Sequence, residues 1–359
     1  MTASVLVVDD SALMRKVLKR ILVDAGGFEV FTARNGLDAL EQVQRIQPDV
    51  VTMDINMPGM DGLSCLTRIM RDDPRPVVVV SSLSEHGALV TLEALELGAV
   101  DYVPKPGGTV SLNMDQVAAE VVATVRGAIG AKVGRAGGLA ARMRADRHRV
   151  GDAEASQHRR RSPSQVTSAP VEVVLVGSST GGPALLSMLL SALPGSLSAP
   201  VVVAQHIPAS FTASLANRLD EACALGVHEV TRAQRLEPGH VYIGRGDADV
   251  VLARQGDELI AKSVPSSPNY SWHPSVNRLV ASARQVVDPR RVVGTLLTGM
   301  GDDGAAELAG LHADGGRTIA EAEETAVIWG MPGELVRRGG ATRTLPSYRI
   351  ADQIVDWVR

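Results

Sequence analysis

Four short apolar runs in the first third of the chain, each delivering a polar residue at its end, constrain the fold more than any other feature. Ser4-Val5-Leu6-Val7-Val8 leads into Asp9 and Asp10, and Pro48-Asp49-Val50-Val51-Thr52-Met53 into Asp54. Pro76-Val77-Val78-Val79-Val80 leads into Ser81, and Asp101-Tyr102-Val103-Pro104 into Lys105. Runs this short and valine-rich, followed by helical patterns, predict buried parallel strands. Their carboxyl ends share one edge of the sheet, where open α/β sheets place ligand and reaction sites. A lone aspartate after a strand is ordinarily a helix N-cap. The joint pattern points elsewhere, because three clustered carboxylates repel one another unless a hard, oxygen-preferring divalent cation, typically Mg2+, sits among them. Such a site can take a phosphoryl group onto one carboxylate, with metal, lysine and hydroxyl holding its oxygens.

On these residues, about the first 125 positions resemble a response-regulator receiver domain. The resemblance implies a flavodoxin-like, doubly wound parallel sheet. It makes Asp54 the phospho-acceptor, Asp9 and Asp10 the Mg2+ ligands together with Asp54 and the Asn56 backbone carbonyl, Lys105 the phosphate contact and Ser81 the switch hydroxyl. It also implies a cis bond at Lys105-Pro106.

At 359 residues the chain is too long for one typical core. Apolar residues make up 45% and charged residues 21%, which excludes global disorder, and a net charge of −4 argues against bulk attraction to nucleic acid. Cys65 and Cys223 are too few for a disulfide framework or a zinc cluster, so both are expected as buried free thiols. No basic-then-apolar leader opens the sequence, and no apolar stretch reaches membrane-spanning length; the expected location is cytoplasmic.

A helix over Asp115–Ala131, with Val117, Val121, Val125 and Ile129 on one face, is expected to close the receiver at residue 130. Residues 131–170 then carry nine Lys or Arg against three Asp or Glu, with few large apolar side chains, and read as a flexible basic linker that includes Arg159-Arg160-Arg161. From Val171 to Arg359 strand–helix alternation resumes, enough for a second α/β domain.

In that second part, the strand Val173–Val176 meets Gly177-Ser178-Ser179-Thr180-Gly181-Gly182, a tight turn opening a helix. Two chemistries suit such a turn: a phosphate cradle, or a serine nucleophile with backbone N–H groups ready for an oxyanion. Two more strand ends supply Gln205-His206-Ile207-Pro208 and Thr298-Gly299-Met300-Gly301-Asp302-Asp303-Gly304, so that Ser, His and Asp form a candidate nucleophile, base and orienter. Their order differs from the Ser-Asp-His order of ordinary α/β hydrolases.

These segments resemble the CheB methylesterase family, as do Phe211-Thr212, Pro238-Gly239-His240-Val241-Tyr242-Ile243, His273-Pro274-Ser275-Val276 and Trp329-Gly330-Met331-Pro332. The resemblance spans about residues 171–345 and implies a doubly wound α/β methylesterase domain over 171–359. It makes Ser179 the nucleophile, His206 the general base and Asp303 the orienting acid. Thr180 and the Met300 N–H become candidates for positioning or for the oxyanion. His273 is expected to line the substrate cleft or pack, His240 to pack or cap, and Asp302 to add a carboxylate near His206. The implied reaction is hydrolysis of glutamate γ-methyl esters on methyl-accepting chemoreceptors, with deamidation of glutamines, and needs no cofactor. The implied phosphodonor is a CheA-type histidine kinase. The alternative is a receiver coupled to a catalytically silent partner- or phosphate-binding module. A DNA-binding reading is set aside because the last segment shows a sheet-like pattern and no basic recognition helix.

Overall fold

The computed structural model describes residues 2–24, 27–82, 84–105, 114–133 and 169–359. Its N-terminal part runs β1 (Ala3–Val8), α1 (Ala12–Asp24), β2 (Phe28–Ala33), α2 (Gly36–Ile46), β3 (Val50–Asp54), α3 (Gly62–Asp72), β4 (Val77–Ser81), α4 (Glu85–Glu96), β5 (Asp101–Pro104) and α5 (Met114–Ala128). The strands form one parallel sheet in the order β2-β1-β3-β4-β5. Every residue of β3 and β4 is buried, as expected of strands covered on both faces. Asn35, Asp61 and Ser84 cap α2, α3 and α4 through their side chains. That leaves the strand-end carboxylate of Asp54 outside any capping role. Val117, Val121 and Val125 of α5 face the core as their spacing predicts. The helix stops at Ala128, short of the expected Ala131, and Gly130 turns the chain with a positive φ.

The C-terminal part contains β6 (Val173–Ser178), α6 (Gly182–Ser191), β7 (Val201–Gln205), α7 (Ala209–Ala222), β8 (Gly226–Val230), β9 (Gln234–Arg235), β10 (His240–Gly244), β11 (Ala248–Gln255) and β12 (Glu258–Pro265). It continues with α8 (Val276–Val286), a 3-10 turn at Pro289–Arg291, β13 (Val292–Leu296), α9 (Ala305–Ala313), β14 (Arg317–Glu321), α10 (Met331–Arg337), β15 (Arg343–Leu345) and α11 (Ser347–Val358). Seven strands form a parallel sheet in the order β15-β14-β13-β6-β7-β10-β8. The order reverses around β6, so the carboxyl ends of β13, β6 and β7 meet at a switch point.

Three expectations are corrected here. Strand–helix alternation is interrupted by an antiparallel β11–β12 hairpin, extended by β9. Its sequence signal was Gly256-Asp257 between alternating Val250, Leu252 and Leu259, Ala261. The last segment is a helix: Ile350, Ile354 and Val358 are buried at four-residue spacing. Cys65 is buried, and desolvation pushes its thiol up to about 12, while Cys223 is only partly buried. Most of the basic linker, including Arg159–Arg161, and Pro106 with its expected cis bond lie outside the described residues.

The two parts are in contact. Helix α4 packs on α6 and α7. Tyr102 of β5 stacks on Phe211 of α7, with centroids 4.7 Å apart, and Arg218 pairs with Glu96. Lys132 donates its Nζ–H to the Glu323 carbonyl at 2.7 Å. Gly127 of α5 lies so close to the loop after β13 that a Cβ built there would sit 1.8 Å from Met300 Sδ.

Candidate functional site

The N-terminal sheet edge gathers Asp9, Asp10 and Asp54 with ligand oxygens within 4.8 Å of one another. Lys105 Nζ donates to Asp54 Oδ2 at 2.7 Å and lies 3.6 Å from Asp9 Oδ2. That Asp9 oxygen is buried without a hydrogen-bond partner. Burial raises the Asp9 pKa, partly offset by the Ser11 N–H and Lys105, while Asp54 and Asp10 push it further up. A buried, under-satisfied carboxylate oxygen facing two other carboxylates fits a hard divalent cation. The Asn56 N–H donates to Asp54 Oδ1 at 3.3 Å, so the Asn56 backbone runs alongside the cluster. Ser81 stands at the same edge, with its Oγ directed at the Ser82 and Gly87 carbonyls, both at 3.3 Å.

The second site is built on the central strands of the larger sheet. Ser179 follows β6, His206 follows β7, and Asp303 lies in the loop after β13. Two glycines allow the serine turn. Gly181 has φ +77°, and a Cβ on Gly182 would lie 2.0 Å from Gln205 Oε1. Gln205 in turn clamps the turn by donating Nε2–H to the carbonyls of Ser179 and His206 at 3.0 and 2.9 Å.

His206 Nε2 lies 2.9 Å from Asp303 Oδ2. Asp303 also accepts from the Val276 N–H at 2.7 Å, the Asn277 N–H at 3.0 Å and the Ser275 hydroxyl at 3.0 Å. Its burial would raise its pKa, but the hydrogen bond and charge of His206 and the two N–H donors outweigh that and hold it below the usual carboxylate range. An ionised carboxylate only accepts, so Nε2 carries the proton and Nδ1 keeps the lone pair. His206 Nδ1 is buried and has no hydrogen-bond partner. It is the nitrogen left for proton transfer.

Ser179, Thr180, His206, His273 and Met300 line one cavity of about 520 Å³. The N-terminal part supplies the facing wall, with Asp101, Tyr102 and Glu120 among its residues. Thr180 Oγ1 donates to Asp101 Oδ2 at 2.5 Å, across the boundary between the two parts. Burial pushes the Asp101 carboxyl up to about 6, against the stabilising Thr180 hydroxyl, Tyr102 N–H and His206.

Other sequence-selected residues have separate partners. Asp302, expected near His206, is exposed and lies 3.4 Å from Arg338, while His206 is engaged by Asp303. His273 lines the cavity but is anchored at 3.0 Å to buried Asp249. His240 pairs with His228 at 3.0 Å. Sequence reasoning missed the roles of Ser275, Gln205, Asp101 and Trp272. All four act through contacts between segments distant along the chain, which local pattern does not carry.

Residues 174–354 match the family model for the CheB methylesterase, and residues 5–114 match that for the response regulator receiver domain. A Rhodopseudomonas palustris protein named protein-glutamate methylesterase/protein-glutamine glutaminase 2 is 53% identical over 98% of this chain and 97% of its own. A Rhodospirillum rubrum protein named protein-glutamate methylesterase/protein-glutamine glutaminase 3 is 52% identical over 99% of this chain and 96% of its own. The catalytic domain of Thermotoga maritima CheB methylesterase, solved by crystallography, superposes with a TM-score of 0.50 at 36% identity, covering 52% of this chain and 99% of that one. With an acidic receiver edge at one end and a serine turn facing a His–Asp pair at the other, the chain belongs to the CheB methylesterase family.

Proposed function

We propose that this protein is a phosphorylation-activated esterase that hydrolyses glutamate γ-methyl esters on chemoreceptors and deamidates glutamines at the same serine. The observation that carries this reading is the His206–Asp303 pair, which leaves the buried Nδ1 of His206 without a hydrogen-bond partner in a residue that lines one cavity with Ser179. His206 Nδ1 takes the Ser179 proton as Oγ attacks the acyl carbon. Thr180 and Met300 line the same cavity, and the Thr180 hydroxyl, once released from Asp101, and the Met300 N–H are the candidates to stabilise the developing oxyanion. Collapse expels methanol, or ammonia from an amide, and that leaving group takes the proton from His206. Water, deprotonated by the same nitrogen, then releases a glutamate carboxylate and restores Ser179.

Receiver residues 1–130, a linker over 131–170 and an esterase domain over 171–359 form the working division. As described, the receiver face made by α4, β5 and α5 covers the Ser179 turn, and Asp101 occupies the Thr180 hydroxyl. Strand β5 links this cover to the phosphorylation site, because Asp101 begins it and Lys105, bonded to Asp54, follows its end. Ser81 forms a second link, since its hydroxyl holds the Gly87 carbonyl in α4. A phosphoryl group on Asp54 competes for Lys105 and Ser81 and so pulls on both the strand and the helix of the cover. Asp9, Asp10, Asp54 and the Asn56 carbonyl would hold Mg2+, whose charge stabilises the transferring phosphoryl oxygens. The phosphodonor is a CheA-type histidine kinase and the setting is cytoplasmic. No helix among the described residues is long and apolar enough to cross a membrane.

Methanol release from methylated receptor membranes, with and without a small phosphodonor, tests this reading. The wild type should release methanol slowly alone and faster with phosphodonor. Asp54→Asn should keep the slow rate and lose the stimulation; stimulation equal to wild type would remove Asp54 from its role. No release under either condition, with phosphorylation intact, would favour a silent binding module instead.

A further inference from the structure

We infer that Trp272 is a positioning residue for His206, an assignment that rests on reading His206 as the general base. The indole lies flat on the imidazole, with ring centroids 5.3 Å apart and planes 10° from parallel. Trp272 is 46% exposed, a large apolar side chain left at the surface, and it lines the cavity beside Ser179. The His206 side chain beneath it is 6% exposed.

The loop that carries Trp272 is fixed on both sides. Fully buried Asp249 of β11 accepts from the Ser275 N–H at 2.8 Å and from Arg278 Nη1 at 2.5 Å, and binds His273, the residue next to Trp272, at 3.0 Å. Arg278 also donates to the Pro265 carbonyl at 2.8 Å, closing the other end of the loop. Immediately after, Ser275, Val276 and Asn277 supply three of the donors to Asp303. One loop therefore holds the orienting carboxylate and the face of the imidazole together.

The hydrogen bond to Asp303 fixes only one edge of the ring and leaves it free to swing about that edge. A flat surface against the ring removes this freedom and holds Nδ1 in the plane where Ser179 must meet it. When His206 takes the serine proton, the imidazolium also gains the attraction of the indole π face. Both effects act on the chemical step rather than on receptor docking. Loss of the indole is therefore expected in kcat and not in KM.

The test uses the full-length protein with a small phosphodonor. Two rates are measured: methanol release from methylated receptor membranes, and covalent labelling of Ser179 by a fluorophosphonate, which needs the base but no receptor. Trp272→Leu should lower kcat about tenfold with KM little changed, and slow labelling in parallel. Trp272→Phe, which restores a flat aromatic face, should recover most of both rates. Equal impairment of the Leu and Phe variants would show that a flat aromatic face is not what His206 needs, and a rise in KM at constant kcat would make Trp272 a receptor contact; either outcome overturns the assignment. Variants as active as wild type do the same while leaving the esterase reading intact. A wild type that neither takes the label nor releases methanol overturns both.

Discussion

Ser179→Ala is expected to reduce methanol release by about 10⁴-fold or more, equivalent to a loss of roughly 5–6 kcal/mol of transition-state stabilisation. Removing Oγ leaves His206 with nothing to deprotonate except water, and water at this site lacks the anchoring that the serine backbone provides through its N–H to the Thr298 carbonyl at 3.0 Å. The substitution deletes one half-buried oxygen and no hydrogen bond of the fold among the described residues. Thermal stability and Asp54 phosphorylation should therefore match wild type. Single-turnover methanol release, with phosphorylation measured on the same sample, separates the two properties. Turnover within tenfold of wild type would take the nucleophile role away from Ser179.

Asp303→Asn should lower kcat by about 10³–10⁴-fold, for a reason visible in the hydrogen bonds. The carboxylate accepts from four donors, and all four require an acceptor. An amide has one oxygen. Its NH2 must replace either Oδ1, where it faces the Ser275 hydroxyl and the Asn277 N–H, or Oδ2, where it faces the Val276 N–H and His206 Nε2; in the second case it donates to the imidazole, which moves the ring proton to Nδ1 and disables the base. Leaving a buried donor unmatched should also cost about 1–3 kcal/mol of stability. The pH dependence has a definite sign. Because the folded protein holds the Asp303 pKa below its ordinary value near 3.8, the carboxylate stabilises the fold above that value. Its contribution disappears as pH falls through the depressed folded pKa, so wild type and Asp303→Asn should converge in stability in acid. Melting curves from pH 7 to pH 3 would show this, and a constant gap between the two proteins would contradict it.

The strand ends were legible from the sequence because fully buried parallel strands have a plain signature: short β-branched runs broken by a single polar residue. Asp9, Asp54, Lys105, Ser179 and His206 stand where those runs end, and Asp303 lies in the loop that follows one. The hairpin of β11 and β12 was harder to read, because it lies inside a region of strand–helix alternation and its turn pair is short. It supplies Asp249, on which the Trp272 loop depends. The final segment reads as sheet-like from its short apolar and polar alternation, but Ile350, Ile354 and Val358 recur every four residues and are buried on one face of a helix. Asp302 and Asp303 are chemically identical neighbours. Only the fold distinguishes the one that meets three donors of the 275–277 turn from the one that reaches solvent and Arg338.

Gly127 lets the receiver helix and the catalytic loop approach closely. A methyl group there would lie 1.8 Å from the Met300 sulfur, and the thioether, the flexible end of its side chain, would have to turn aside. Met300 lines the same cavity as Ser179. A change in a segment that does no chemistry can therefore reshape the wall beside the nucleophile, so the two halves of the chain are bound to vary together at this seam.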